Sequence, residues 1–348
     1  MPTNLKMDKL LHFVISNPGL SSSKIYSQLN LGVELLTVKR YLSKLVSQDY
    51  LVIEGKGRGT KYYVSSFFKL SYPIDMDKYF EKEVDEREIE THFNFSLIDE
   101  VLLNTKIFTT AELAVLTSFQ KQYLENIKEM SHSVYQHELE RLGIDLSWKS
   151  SQIEGNTYSL LETEQLLKEL VEAKGKKKEE ATMLINHKVA LDYIIGDSDY
   201  FLTVSIKKIE EVHSLLTNNL DVEKNIRKRI VGITGTNYKP LDNEHQIKEV
   251  LNNICRLVNS KENIFEKSFL ILLLLSYLQA FADGNKRTAR IISNAVLISN
   301  NHCPISFRSV DSIDYKKAML IFYEQNNIQA FKQIFIEQYK FAVNTYFQ

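Results

Sequence analysis

Thirteen consecutive positions, Phe269–Phe281, carry almost nothing that needs water, and they are closed by Lys267 on one side and Asp283 on the other. A membrane-crossing helix needs ~18–20 apolar residues, so this run is too short to span a bilayer and reads as a helix buried in a core. A helix that is apolar on every side needs partners on every side, which points to a helical body around it. Composition agrees: Gly 12 and Pro 5 are few in 348 residues, and abundant Leu, Ile, Lys and Glu favour helix over a turn-rich all-β fold. The length allows two or three domains at ~100–200 residues each. Cys255 and Cys303 alone make neither a disulfide scaffold nor a zinc site. No basic-then-apolar leader opens the chain, so the expected setting is a reducing cytoplasm, with no membrane partner.

Charge is unevenly spread. Residues 1–66 hold nine Lys/Arg against four Asp/Glu, whereas residues 67–348 hold 34 against 40. A basic head on an acidic body suggests a nucleic-acid-facing module joined to something else. In the head, Lys9–Ser16 reads as a helix stopped by Asn17-Pro18-Gly19, and Lys24–Leu29 as a second, capped by Ser21 to Ser23. A third helix over Leu35–Gln48 turns Leu35, Val38, Leu42, Leu45 and Val46 inward and Thr37, Lys39, Arg40, Ser43 and Lys44 outward. Strands at Tyr50–Glu54 and Lys61–Val64 flank a basic glycine-rich turn, Gly55–Gly59. This order resembles the winged helix-turn-helix family. The resemblance implies DNA as partner, with contacts from Thr37, Lys39, Arg40 and Lys44 on the third helix and from Lys56 and Arg58 on the wing. Protein contact or dimerisation is the other reading of the same pattern.

Residues Asp75–Glu90 are dense in charge and read as a linker or exposed helix, giving expected segments of 1–66, 67–95 and 96–348. Amphipathic helices follow from Ser96 to Arg141, at Ala181–Ile195 and at Val204–Leu220. The tract Lys174–Glu180 reads as a solvated loop opening a helix. Between them, Leu142–Thr157 places Ser150 and Glu154 on one face of a helix turn that Gly155-Asn156 stops. Read alone, Glu154 is an ordinary helix end or a carboxylate that pairs with an arginine elsewhere.

The polar stretch Phe281–Arg290 joins two apolar helices. N–H groups at the start of the second helix, with Gly284 permitting close approach, form an anion cradle. Arg287 and Arg290 share a face and can both grip phosphate oxygens, while Asp283 can hold a divalent cation bridging them.

The twelve residues Gln279-Ala280-Phe281-Ala282-Asp283-Gly284-Asn285-Lys286-Arg287-Thr288-Ala289-Arg290 resemble the Fic family motif His-x-Phe-x-(Asp/Glu)-Gly-Asn-(Gly/Lys)-Arg-x-x-Arg, with Gln279 where the family has histidine. Ser150–Asn156 likewise resembles the family's inhibitory motif, Ser/Thr-x-x-x-Glu-Gly/Asn. Together they cover about residues 95–345. The resemblance implies a mostly α chain: a winged helix-turn-helix followed by an all-α Fic core with a β-hairpin flap, an inhibitory helix near 142–157 and a Fic loop at 279–290. It implies transfer of AMP from ATP, with Mg²⁺, to a hydroxyl of a protein target that the sequence does not name. Phe281 would anchor the loop and Asp283 would bind Mg²⁺. Gly284, Asn285 and Lys286 would line the anion hole, and Arg287 would meet the α/β-phosphates. Arg290 would meet the γ-phosphate, and Glu154, beside Ser150, would pair with Arg290 and block the productive pose. The flap, Val231–Pro240, would dock a target strand through Thr234, Gly235, Thr236 and Tyr238 by β-augmentation. A homodimer is left open.

Gln279 changes the expected chemistry. A glutamine amide cannot take a proton near neutral pH, and losing a general base costs ~10²–10⁴ in rate. His302, past the following helix, is expected to be an ordinary surface or packing residue. Lys286 is a softer departure, shared with Doc-type toxins that resemble phosphotransferases. Three readings stand: an autoinhibited adenylyltransferase-like nucleotide binder, a catalytically degenerate nucleotide-responsive DNA-binding regulator, and a phosphotransferase or de-AMPylating hydrolase.

Overall fold

The structure, a computed structural model, describes residues 5–348, apart from the side chains of Arg58 and Ser198. The chain divides into two compact units between Pro73 and Ile74.

In the first unit, α1 (Leu5–Ser16), α2 (Ser22–Gln28) and α3 (Leu35–Ser47) precede a two-stranded antiparallel hairpin, β1 (Leu51–Glu54) and β2 (Lys61–Val64), and a short α4 (Ser66–Ser71). Ser21 starts α2 by accepting the Lys24 N–H. Register runs from Leu51↔Val64 to Glu54↔Lys61. One core holds the unit together: Leu10, Leu11, Val14, Ile25, Val38, Leu42, Leu45 and Leu51 are all buried. Of the inward positions of the α3 pattern, Val38, Leu42 and Leu45 are buried and Leu35 and Val46 half-buried, and Lys39, Arg40 and Lys44 are left exposed while Thr37 is half-buried. Lys56 is exposed in the turn between the strands; the side chain of Arg58, the other cation proposed there, lies outside the described residues.

The second unit is helical. Its elements are α5 (Met76–Phe80), α6 (Leu102–Asn104), α7 (Thr110–Glu129), α8 (His132–Ile153), α9 (Leu160–Glu169), α10 (Lys178–Gly196), α11 (Ile206–Leu216), α12 (Glu244–Ser260), α13 (Ile264–Leu278), α14 (Asn285–Ser299), α15 (Ser312–Gln325) and α16 (Gln329–Thr345). Side-chain caps set many of the starts, with reciprocal capping boxes at Thr109/Glu112 and Ser159/Glu162. Residues 269–278 of the apolar run lie in α13, where every residue from Ser268 to Leu278 is buried, while Gln279 to Phe281 fall past its end. It packs against α12, α14 and α15, with aromatic contacts closing its two ends: Phe269 lies 5.5 Å from Phe335, and Tyr277 lies 4.6 Å from Phe93.

Residues 74–92, charge-dense in sequence, keep most of their charges exposed and are laid onto this body through Arg87 and its neighbours. Arg87 is buried against Glu324 at 3.3 Å, Tyr79 donates to Glu324 at 2.6 Å, and the Arg87 guanidinium lies 5.1 Å from the Phe80 ring centre. Among the described residues, β1–β2 is the only sheet. Segment 231–240 therefore has no strand ladder; it is an open loop turning at Thr234 and Gly235.

Candidate functional site

Helix α13 ends where Gln279 takes a left-handed conformation, φ 52 and ψ 54. Its amide is committed at both ends: Nε2 donates to the Ser276 carbonyl at 2.7 Å, and Oε1 accepts from Asn285 Nδ2 at 3.1 Å. Asn285 in turn accepts from the Phe281 N–H and donates to the Phe281 carbonyl, both at 2.8 Å. The loop is thus stitched from inside. Phe281, 1 % exposed, stacks on the His213 ring at 3.7 Å. His213 Nε2 lies 2.9 Å from the Asp283 carbonyl, and because a carbonyl only accepts, that nitrogen carries the proton. Burial, with the Arg287 charge nearby, lowers the His213 pKa against the opposing pull of this bond, so the ring is neutral at physiological pH.

Gly284 is left-handed at φ +80, and an added Cβ would come within 3.3 Å of Thr217. It starts α14, whose first-turn N–H groups have no partner inside the helix and face the loop. Arg287 and Arg290 follow on this helix, 1 % and 0 % exposed. Arg287 meets Asp283 at 3.4 Å. Arg290 donates Nε to Ser150 Oγ at 2.8 Å and Nη2 to the Ser150 carbonyl at 3.0 Å and to Glu154 Oε1 at 2.7 Å. The other Glu154 oxygen lies 3.4 Å from Lys286 Nζ.

Glu154 caps the C-terminus of α8, where the helix dipole disfavours an anion. Burial pushes its carboxyl up, but Arg290 and Lys286 outweigh burial and hold it below its ordinary value. Behind it, His187 is wholly buried, with neither ring nitrogen paired. Burial first, then the Arg290 and Arg287 charges, drive its pKa well down.

Of these groups, Glu154, Gln279, Asp283 and Gly284 to Arg287 line a cleft of about 380 Å³, together with Val231 to Thr234 and with Tyr315, Lys316, Met319, Leu320 and Tyr323 of α15, whereas Arg290, Ser150, His187 and His213 lie outside its lining. Arg287, which lines the cleft, has a buried Nη1 without a partner, which suits an incoming oxyanion; the Arg290 guanidinium lies 5.4 Å from the Tyr315 ring centre. No cluster of three metal-ligating side chains occurs among the described residues, so any cation here would rest on Asp283, whose carboxylate is 68 % exposed, and on ligand oxygens. That is the usual provision for Mg²⁺.

The open loop forms one wall. Arg87 Nη2 donates to the Gly235 carbonyl at 2.7 Å, and Asn237 Nδ2 donates to Asp85 at 2.8 Å. Thr236 Oγ1 accepts from the Tyr238 N–H at 3.1 Å. Thr234 is exposed, whereas Tyr238 is 2 % exposed and stacks 4.9 Å from Tyr277. Tyr238 therefore anchors the loop in the core and offers no surface to a target. His302 sits apart from the site, bonded to the Asn300 carbonyl and edge-on to Phe265.

Sequence reasoning missed His213, His187 and Arg227. The last is fully buried and bridges the start of the loop to both ends of segment 229–241. None sits in a motif; their contacts join helices and loops that sequence spacing does not connect.

This arrangement defines a class, and comparison agrees with it. Residues 203–297 match the Fic/DOC family model, so the chain carries a Fic domain. Among curated relatives, it is 25% identical over 162 residues to "Protein adenylyltransferase Fic" of Aedes aegypti, covering 44% of this chain and 32% of that protein. It is 27% identical over 159 residues to "Protein adenylyltransferase fic-1" of Caenorhabditis elegans, covering 44% and 31%. The chain thus spans about a third of the length of the curated relatives it matches. Among solved structures, "Fic-1 (aa134 - 508) from C. elegans" superposes with a TM-score of 0.60 at 19% identity, over 68% of this chain and 72% of that one. A Fic domain containing signaling protein from Bacteroides thetaiotaomicron gives 0.57 at 16%, over 66% and 94%. These structures share the fold. No helix among the described residues is long and apolar enough to cross a membrane.

Proposed function

We infer that the cleft binds ATP with Mg²⁺ and that Glu154 holds it shut. One observation carries this reading: Arg287 lines the cleft with an unpaired buried donor, and Arg290, one turn further along α14, is held by a carboxylate that also lines the cleft and sits at the unfavourable end of its own helix. A phosphate chain would replace that carboxylate. Arg287 would take the α/β-phosphates and Arg290 the γ-phosphate, while N–H groups of Gly284, Asn285 and Lys286 receive the remaining oxygens. Mg²⁺, held by Asp283, would supply neutralisation of phosphate charge.

The reaction this scaffold supports is transfer of AMP from ATP to a protein hydroxyl, the activity carried in the names of its curated relatives. Here it is slow or lost. Gln279 stands at the position of the Fic histidine, cannot take the hydroxyl proton, and has both amide atoms bonded within the loop. That tie favours a second reading in which the Fic unit senses nucleotide and the first unit, with Lys39, Arg40 and Lys44 exposed on α3, binds DNA as a winged helix. Phosphotransfer or removal of AMP with Glu154 orienting water ranks below both, since each also lacks its base.

Calorimetric titration with Mg·ATP separates these. Glu154→Gly should bind at least about tenfold more tightly than the parent; equal affinity removes the lock from the account. Label transfer from α-labelled ATP by Glu154→Gly, lost on adding Arg287→Ala, would show catalysis without the histidine. Label appearing only after Gln279→His would favour the sensor. For the first unit, Arg40→Ala should weaken duplex DNA binding with a steep salt dependence; salt-independent binding would exclude a phosphate-contacting role.

A further inference from the structure

Arg227 is a buried cation that forms no ion pair among the described residues, the Asp242 charge reaching it only from farther off. It is 0 % exposed, and all three guanidinium nitrogens donate to main-chain carbonyls. Nε meets Gln279 at 2.6 Å, Nη1 meets Arg229 at 2.8 Å, and Nη2 meets Leu241. Its own N–H donates to the Ala280 carbonyl at 3.0 Å. Two of those carbonyls, at 229 and 241, are the two ends of the loop that walls the cleft. The other two belong to the opening residues of the phosphate-facing loop, and Gln279 is where α13 presents its negative end.

We propose that Arg227 is the positioning residue that fixes the cleft-walling loop to the phosphate-facing loop, setting the width of the cleft between Ile233 and Asn285. Segment 229–241 has no strand ladder to close its mouth, and the planar fork of one guanidinium takes that place by gathering three carbonyls from separate stretches of chain. A lysine ammonium cannot present donors in that fork. The same bonds hold the left-handed turn at Gln279, from which the Asn285 network starts. The effect on ligand rests on the nucleotide reading given above; the bracing itself does not.

The test compares Arg227→Met and Arg227→Lys, each in the Glu154→Gly protein, by residue-resolved amide hydrogen exchange and by Mg·ATP titration. The expected result for methionine is exchange at least about tenfold faster in residues 229–241 and 279–284, with α13 and α14 protected as before, and ATP affinity about tenfold weaker. Lysine should recover part of both losses, and it serves alone if the methionine variant does not fold. Exchange unchanged in those two segments, or faster evenly across the whole second unit, overturns the proposal by making Arg227 an ordinary core residue. If Glu154→Gly itself binds no ATP, the nucleotide reading fails, and the exchange pattern still decides the brace.

Discussion

Arg290 and Arg227 are both completely buried, and they are neutralised in opposite ways. Arg290 leans on a carboxylate, Glu154, that is 21 % exposed and sits at the end of a helix; Arg227 leans on carbonyls that are part of the chain. A carboxylate can be displaced by a ligand's own anionic oxygens, whereas a main-chain carbonyl can leave only if the backbone rearranges. The first cation can therefore be handed to a ligand. The second can only hold the frame in which that exchange happens.

The difference can be broken in several places, and the largest effect falls on the frame. Arg227→Met strands three carbonyls and should cost ~3 kcal/mol of stability, measured by urea denaturation with and without ATP; ATP should not restore it. Glu154→Gly strands a guanidinium instead and should cost ~1–3 kcal/mol without ligand, but excess Mg·ATP should close most of the gap in melting temperature to the ATP-loaded parent. A variant that ATP cannot rescue would place Arg290 with Arg227, as scaffold.

Lys286 is the weaker clasp, at 3.4 Å and 26 % exposed. As a clasp, Lys286→Met should tighten ATP binding roughly two- to threefold in the parent, and weaken it in the Glu154→Gly background, where only phosphate is left to contact. A loss of affinity in both backgrounds would mean that Lys286 serves the ligand alone.

The smallest effect is that of pH. The Glu154 carboxyl is held below its ordinary value of 4.5, so its contribution to stability is present above that value and fades as pH falls through the lower, folded one. The ratio of parent to Glu154→Gly affinity should stay flat from about pH 6 to 8 and shrink only in acid. A ratio that changes near neutrality would point to a different titrating group.

What the sequence made legible followed its local rules. Residues 269–278 of the apolar run lie in a buried helix because nothing on any side of them can face water, and the start at Ser21 follows from a side chain that accepts a first-turn N–H group. The α3 alternation left Lys39, Arg40 and Lys44 outside for the same reason. The site was legible only where a motif packs its residues into one stretch, as in 279–290. Glu154 and Arg290 are 136 positions apart, and only the family resemblance linked them. Nothing linked Arg227 to Gln279 across 52 positions, since a bond from a guanidinium to a carbonyl leaves no mark on the identity of the accepting residue. Tyr238 shows the converse: in a loop of small and polar residues it reads as surface, yet its ring packs against those of Tyr277 and Tyr323.

The left-handed backbone at residue 279 bears on what drift can do to this protein. That conformation admits glycine, asparagine or histidine at little cost and resists β-branched side chains, so few replacements keep the loop's shape. With Arg227 and Asn285 holding the turn from outside and inside, the mould survives a change in what is cast in it. Histidine at 279 should therefore leave both the turn and the network built on it in place.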